Sequence, residues 1–376
     1  MRSAVCPLVV LLVISGTACT TPERWVASSD PTRDDACMLM CAEELAALER
    51  EVLTSELPRI PLREKLRPCC VFGDNVRVRV GPFPILGFRM PNVIGADDMG
   101  PHTYDSGLLR VGGEGEEPLA WNPERNGLVY TCRGGFIDTA HVRGYVDWAL
   151  YLTATVGRYL LAGGSIELPE EGGARRVLVE PVPQAILDRV GQHRFRVALG
   201  QWLAFQLSIW HEIATWYGWH AVPGWPERVS AFSPEDLYSN LLGTKLIGAV
   251  AQLRSGRSEA EYNRCVDAWI PVVMRELGAV PRRAGLEAIR AVDGLWWDSS
   301  RRLPAPALVR RRYFDATGPL RPWLVTDVVA PERLGDRLRA RCGAAPEPVQ
   351  LSNPDSLWGV PFRRWATLEI TISDEL

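Results

Sequence analysis

Apolar residues recur at helical spacing through the middle of the chain. Residues 138–161, 184–192, 196–218, 234–254, 258–277 and 282–292 each read as a helix, and Ala36–Leu53 as an earlier one. Three short runs alternate with period two instead: Asn75–Val80, Arg176–Glu180 and Thr367–Ile372, each expected to be a strand with one buried face. Residues 91–127, rich in Gly, Pro, Asp and Asn, read as long surface loops. One helix start carries its own chemistry. Ser233-Pro234-Glu235-Asp236 sets a hydroxyl before a proline and two acids, which makes Glu235 and Asp236 cap and dipole partners first and ligands second. The pattern contains no internal repeat. It predicts an α+β fold, a mostly helical core with a small sheet formed by distant segments, as a single elaborated domain over 36–376.

Composition changes this picture little. Hydrophobic residues make up 47% and charged residues 23% of 376, enough apolar material for a large core. A net charge of −3 argues against a general nucleic-acid binder. Of the basic residues only Lys65 and Lys245 are lysine, a skew that reflects coding bias, so arginine clusters alone do not point to phosphate.

The N-terminus carries an address. Arg2 precedes the apolar run Pro7–Ile14, too short to span a bilayer as a helix, then the small residues Ser15–Ala18, then Cys19. This resembles a bacterial lipobox, which implies a signal peptide at 1–18, cleavage before Cys19, acylation of Cys19 with chains such as palmitate, and a tether over 19–35. Thr20 is not the aspartate that retains lipoproteins at the inner membrane. The resemblance therefore implies an outer-membrane lipoprotein facing the periplasm, held to the membrane by Cys19. Plain secretion with cleavage after Ala18 is the alternative. Export permits disulfides. Cys37 and Cys41 share a helical face and Cys69-Cys70 lie in a loop, so two bridges are expected between them, a better fit than a zinc site. Cys132, Cys265 and Cys342 remain, an odd number.

Chemistry concentrates on the segment Val197–Trp219. Gln201, Ser208, Glu212 and Thr215 form a narrow polar stripe on a helix that is otherwise apolar nearly all round, with His211 at its edge. A carboxylate there must be protonated, paired, hydrogen-bonded or bound to a metal. His211-Glu212 opens like the zinc-protease motif HExxH, but the fifth residue is Thr215 and the motif fails. Further ligands would come from Gly134–Arg143, where a glycine turn opens a helix bearing Asp138, His141 and Tyr145 on one face. His141, His211 and Asp138 with Glu212 make an N/O set suited to Zn²⁺ or another divalent metal, with Glu212 as general base or fourth ligand. A capping role for Asp138 and a satisfied, buried His141 are the alternatives. Cys132, beside Arg133 and nine residues before His141, offers a rival thiol nucleophile if Cys265 and Cys342 bridge each other. Trp210, Trp216, Trp219 and Trp225 bracket the His-Glu pair; they form either an aromatic cleft for a glycan or acyl chain, or plain core.

GGFIDTAHVR (134–143), WHEIATWYGW (210–219) and FSPEDLYSNLLGTKLIG (232–248) together resemble an uncharacterised bacterial family, domain of unknown function 4056, over about Cys69 to Cys342. The resemblance implies an envelope context and no established activity. On the matching positions it adds Arg143, Tyr217, Asp236 and Asn240 to the residues to test, and Asp236 and Asn240 share a helical face. Three functions remain open: a metal-dependent hydrolase of an envelope polymer or lipid, a non-catalytic binding lipoprotein with a buried His/Glu/Asp network, and a Cys132–His141 acyltransferase or peptidase.

Overall fold

The computed structural model describes residues 31–41, 60–65, 67, 70–79, 87–107, 109–111, 119–121, 123–220, 227–251, 258–343 and 347–372. The leader, Cys19 and most of the tether lie outside them, as does the latter half of the helix expected over Ala36–Leu53.

In chain order the elements are α1 (Arg33–Cys41), β1 (Val76–Arg79), β2 (Gly87–Met90), β3 (Leu109–Val111), β4 (Leu119–Trp121), β5 (Leu128–Thr131), β6 (Gly135–Asp138), α2 (Thr139–Val156), β7 (Gly164–Leu168) and β8 (Ala174–Val179). There follow α3 (Gln184–Val190), α4 (Gln192–Trp216), α5 (Asp236–Val250), α6 (Glu259–Glu276), α7 (Arg282–Ala291), β9 (Arg302–Leu303), α8 (Asp336–Cys342), β10 (Ser356–Leu357), β11 (Val360–Pro361) and β12 (Ala366–Thr371). The α+β expectation holds: helices dominate, and the sheets are small. Among the described residues no helix is long and apolar enough to cross a membrane.

The sheet of distant segments is β12–β8–β7, antiparallel throughout, with Ala366 opposite Val179 and Thr371 opposite Ala174. Val177 and Val179 point into the core, as period-two alternation requires, and Arg175 shares their inward face. Residues 91–127 are not wholly loop, because β3 and β4 pair within them. The pattern also missed the tight hairpin β5–β6, whose turn needs Gly135 at φ 66°; a Cβ there would lie 2.3 Å from the Trp323 carbonyl oxygen.

Three helices set the geometry of the core: α2 packs against both α4 and α5. Two glycines let their backbones meet. A Cβ on Gly200 of α4 would lie 2.7 Å from Thr153 Cα of α2, and one on Gly243 of α5 would lie 2.4 Å from the Val142 carbonyl oxygen of α2. The same approach brings the first turn of α2, the last turns of α4 and the first turn of α5 to one end of the bundle.

Candidate metal centre

His141 stands on the first turn of α2, His211 and Glu212 near the end of α4, and all three are buried. One ligand atom from each lies within 4.8 Å of the others. The sequence placed these three in one site, and the structure brings them together.

Each histidine turns Nδ1 toward a carboxylate. Glu171 Oε1 bonds His211 Nδ1, and Asp236 Oδ1 lies 3.4 Å from His141 Nδ1. That contact orients His211 to present Nε2 as its ligand atom. Carboxylates placed this way are the usual outer partners of metal-bound histidines; they fix the tautomer and raise the basicity of the ring. Arg175 in turn pairs with Glu171 and bonds the Pro169 carbonyl at 2.8 Å. Glu212 is held between helices: the Phe232 backbone N–H donates to Oε2 at 2.8 Å, and Asn240 Nδ2 donates to Oε1 at 3.3 Å. Phe232 adopts φ 55°, a left-handed conformation that costs free energy in a bulky residue and here aims its N–H at the carboxylate.

Acidic groups crowd this end of the bundle. Asp138, Glu171, Glu212, Glu235 and Asp236 are all buried at this end of the bundle. Burial, then the charge of Asp236, pushes the Glu212 carboxyl up to about 8 against the pull of the two histidines. Burial and the neighbouring Asp236 and Asp138 likewise push Glu235 well above the carboxylate range. Burial would raise Glu171 too, but His211 and Arg175 outweigh it and hold it below the ordinary value. Among the described residues, Asp236 Oδ1, Glu235 Oε2 and Asn240 Oδ1 are buried acceptors with no hydrogen bond. A proton or an added positive charge relieves such an excess of buried acceptors.

Several expectations are corrected. Asp138 is not one of the ligand group. It caps α2: its Oδ1 accepts from the N–H groups of Ala140 (2.7 Å) and His141 (3.4 Å), and Oδ2 from the Cys70 N–H (2.9 Å). Cys132 is not a thiol, because it is bonded to Cys342 across 210 residues, which removes the nucleophile; Cys265 remains as a buried thiol. Cys37 is disulfide-bonded, while the side chains of Cys41 and Cys69 lie outside the described residues. Arg143 points away from the site and binds the Glu124 carbonyl (2.6 Å) and the Asn126 side chain (2.9 Å), stapling the loop before β5. Tyr217 follows α4 and is 77% exposed. Asp236 and Asn240 do meet the other two helices as their shared face implied. α5 begins at Asp236 rather than at 234, with Asp236 Oδ2 accepting from the Ser233 N–H at 2.6 Å. Of the tryptophans, Trp210 donates to the Glu171 carbonyl (2.6 Å), and Trp219 lies edge-on to His211 at 5.9 Å.

Glu171 was missed. Its turn, Glu171-Gly172-Gly173, has no periodicity to read, yet Arg175 offered a signal: an arginine on the buried parity of a strand requires a carboxylate partner.

Buried imidazoles and carboxylates at the meeting of three helices define the chain as a helical α+β protein with a candidate metal centre. Residues 57–326 match the family described as "Protein of unknown function (DUF4056)", and the chain belongs to that family. No curated protein and no solved structure matches it.

Proposed function

We propose that His141, His211 and Glu212 hold a divalent transition-metal ion, zinc by donor chemistry, and that the protein is a metal-dependent hydrolase of an envelope polymer or lipid. The observation that carries this reading is the convergence of three N/O ligands with a carboxylate behind each histidine. Three protein ligands leave a position for water, and a bound zinc ion lowers the pKa of that water toward neutrality. The chain's part is to hold the ligands rigid: Glu171 sets the His211 ring, Asp236 places a carboxylate 3.4 Å from His141 Nδ1, and Phe232 and Asn240 set Glu212. The envelope location follows from the lipobox-like N-terminus, with Cys19 as the membrane anchor.

The rival is a non-catalytic lipoprotein in which the same cluster only clamps helices. It is favoured by the depth of the group, with His211 5%, His141 3% and Glu212 0% exposed. Metal content of the chain lacking residues 1–19, measured beside His141→Ala and His211→Ala, separates the two. Near-stoichiometric zinc, lost in both variants while helical content persists, supports the metal centre and justifies assays on ester, amide and glycosidic substrates. No metal after exposure to a zinc buffer rejects it and leaves the clamp.

A further inference from the structure

One helical turn beyond Glu212, on the same side of α4, stands Trp216, and around it the surface has an unusual composition. The guanidinium carbons of Arg312 and Arg228 lie 5.1 and 5.7 Å from the centroid of its ring. Phe314 meets that ring at 6.0 Å with the planes at 88°, and meets Phe232 at 5.0 Å. Phe232 is the residue whose N–H holds Glu212, so the patch is continuous with the ligand group. Phe314 is 59% exposed and Arg228 is exposed, which opens the patch to solvent.

Two arginines lie against one tryptophan ring, yet among the described residues neither makes an ion pair with a carboxylate. Arg312 is partly buried, and its donors Nη1 and Nη2 go to the carbonyls of Ala231 and Pro306, which fix its plane without neutralising it. Arg228 acts on it as a like charge, while the carboxylates that offset this are Asp236, Glu212 and Glu235 of the ligand cluster. An exposed ring corner beside the two arginines supplies a face for stacking. Coding bias accounts for arginine in place of lysine, but not for two of them on one tryptophan without a carboxylate in ion-pair contact.

We infer that this surface recognises an anionic group borne on a ring, with Arg228 and Arg312 taking the anion and the exposed Phe314 the ring. The inference rests on the proposed metal centre for its meaning as a substrate subsite, and it assigns that substrate's class. Planar guanidinium groups suit a carboxylate or phosphate, and stacking on the exposed Phe314 ring suits a flat apolar face.

The test is calorimetric titration of the zinc-loaded protein with phenylphosphonate and, separately, with benzyl alcohol, which keeps the ring and lacks the charge. Saturable binding of phenylphosphonate, several-fold tighter than benzyl alcohol and weakened several-fold in both Arg228→Gln and Phe314→Ser, is the expected result. Both substitutions are at exposed positions, so two independent variants guard against a folding defect. Equal binding of the two probes, no binding of phenylphosphonate, or binding unchanged in both variants overturns the inference. Zinc content is measured on the same samples. Full zinc with no anion binding rejects the recognition surface alone, and absent zinc rejects the metal centre independently of the titration.

Discussion

Glu171 bonds His211 Nδ1 from a glycine turn forty residues earlier in the chain, and Arg175 holds the same carboxylate from the neighbouring strand. The relation makes Glu171 an orienting residue for a ligand. Removing such an outer partner costs about 10–100-fold in metal affinity. Glu171→Ala is therefore expected to weaken zinc binding by that order, and Glu171→Gln, which can still accept from the ring, by less. Competition with a chromophoric chelator measures both, with circular dichroism confirming the fold. Unchanged affinity in Glu171→Ala would reject the orienting role.

Close approach of helices makes a second prediction. Alanine favours a helix over glycine by about 1 kcal/mol, so Gly→Ala within a helix should stabilise where space allows. At Gly200 and Gly243 there is no space, since the added Cβ would stand 2.7 Å from Thr153 Cα and 2.4 Å from the Val142 oxygen. Overpacking of this kind costs about 1–3 kcal/mol, and here the clash is with backbone. Gly200→Ala and Gly243→Ala should both lower the urea midpoint. Gly144→Ala is the control: its Cβ would meet only the Arg63 guanidinium at 3.5 Å, an ordinary contact, and stability should be equal or higher.

Much of this architecture was legible because it is periodic. Six helices between 138 and 292 and the strands at 176 and 367 fall near their predicted places, since burying one face imposes 3.6- or 2-residue spacing. His211 and Glu212 stood out because a charge on an almost wholly apolar helix needs a partner. What was not legible depends on chain crossings. Glu171 sits in a turn defined by Gly172 at φ 62° and by a backbone approach to Thr371, some two hundred residues away. Asp138 reads equally well as cap or ligand, and the cap geometry prevailed because Ala140 and His141 offer unsatisfied N–H groups at the start of α2. Cys132 and Cys342 carry no spacing signal across 210 residues.

Asp147, on the opposite side of α2 from His141, anchors a separate buried network and gives a pH prediction. It accepts from Arg67 Nη1 (2.8 Å), His102 Nε2 (3.0 Å) and the Tyr262 hydroxyl. Glu124 accepts from Arg67 Nε (2.7 Å) and Nη2 (2.8 Å). Burial works to raise both carboxyls, but Arg67 and His102 outweigh it. Glu124 falls from 4.5 to about 2, and Asp147 lies well below its ordinary value. With native pKa values depressed, the unfolded chain binds more protons below about pH 4.5. The network's stability is present above that pH and is lost as pH falls through the depressed native values, near 2 for Glu124. Asp147→Asn should cost about 3–5 kcal/mol at neutral pH, because it leaves Arg67 short of a buried counter-charge. Its deficit should shrink as the medium is acidified. A deficit constant from neutral pH down to acid would contradict the assignment.

The Cys132–Cys342 bond separates structure from chemistry. It ties the β5–β6 turn to the end of α8 across a loop of 210 residues, and removing a disulfide costs about 2–5 kcal/mol. Cys132→Ser with Cys342→Ser should therefore lower stability by that order and leave zinc content unchanged, since neither residue belongs to the ligand group. Alkylation of the native, unreduced protein should spare Cys132. It should reach Cys265 only slowly, because burial pushes that thiol up to about 12 and leaves little thiolate. Mass-spectrometric mapping after a short alkylation reads both. Rapid labelling of Cys132 in unreduced protein would restore the thiol-enzyme hypothesis. Loss of zinc in the double variant would show instead that the bond acts on the metal centre at a distance.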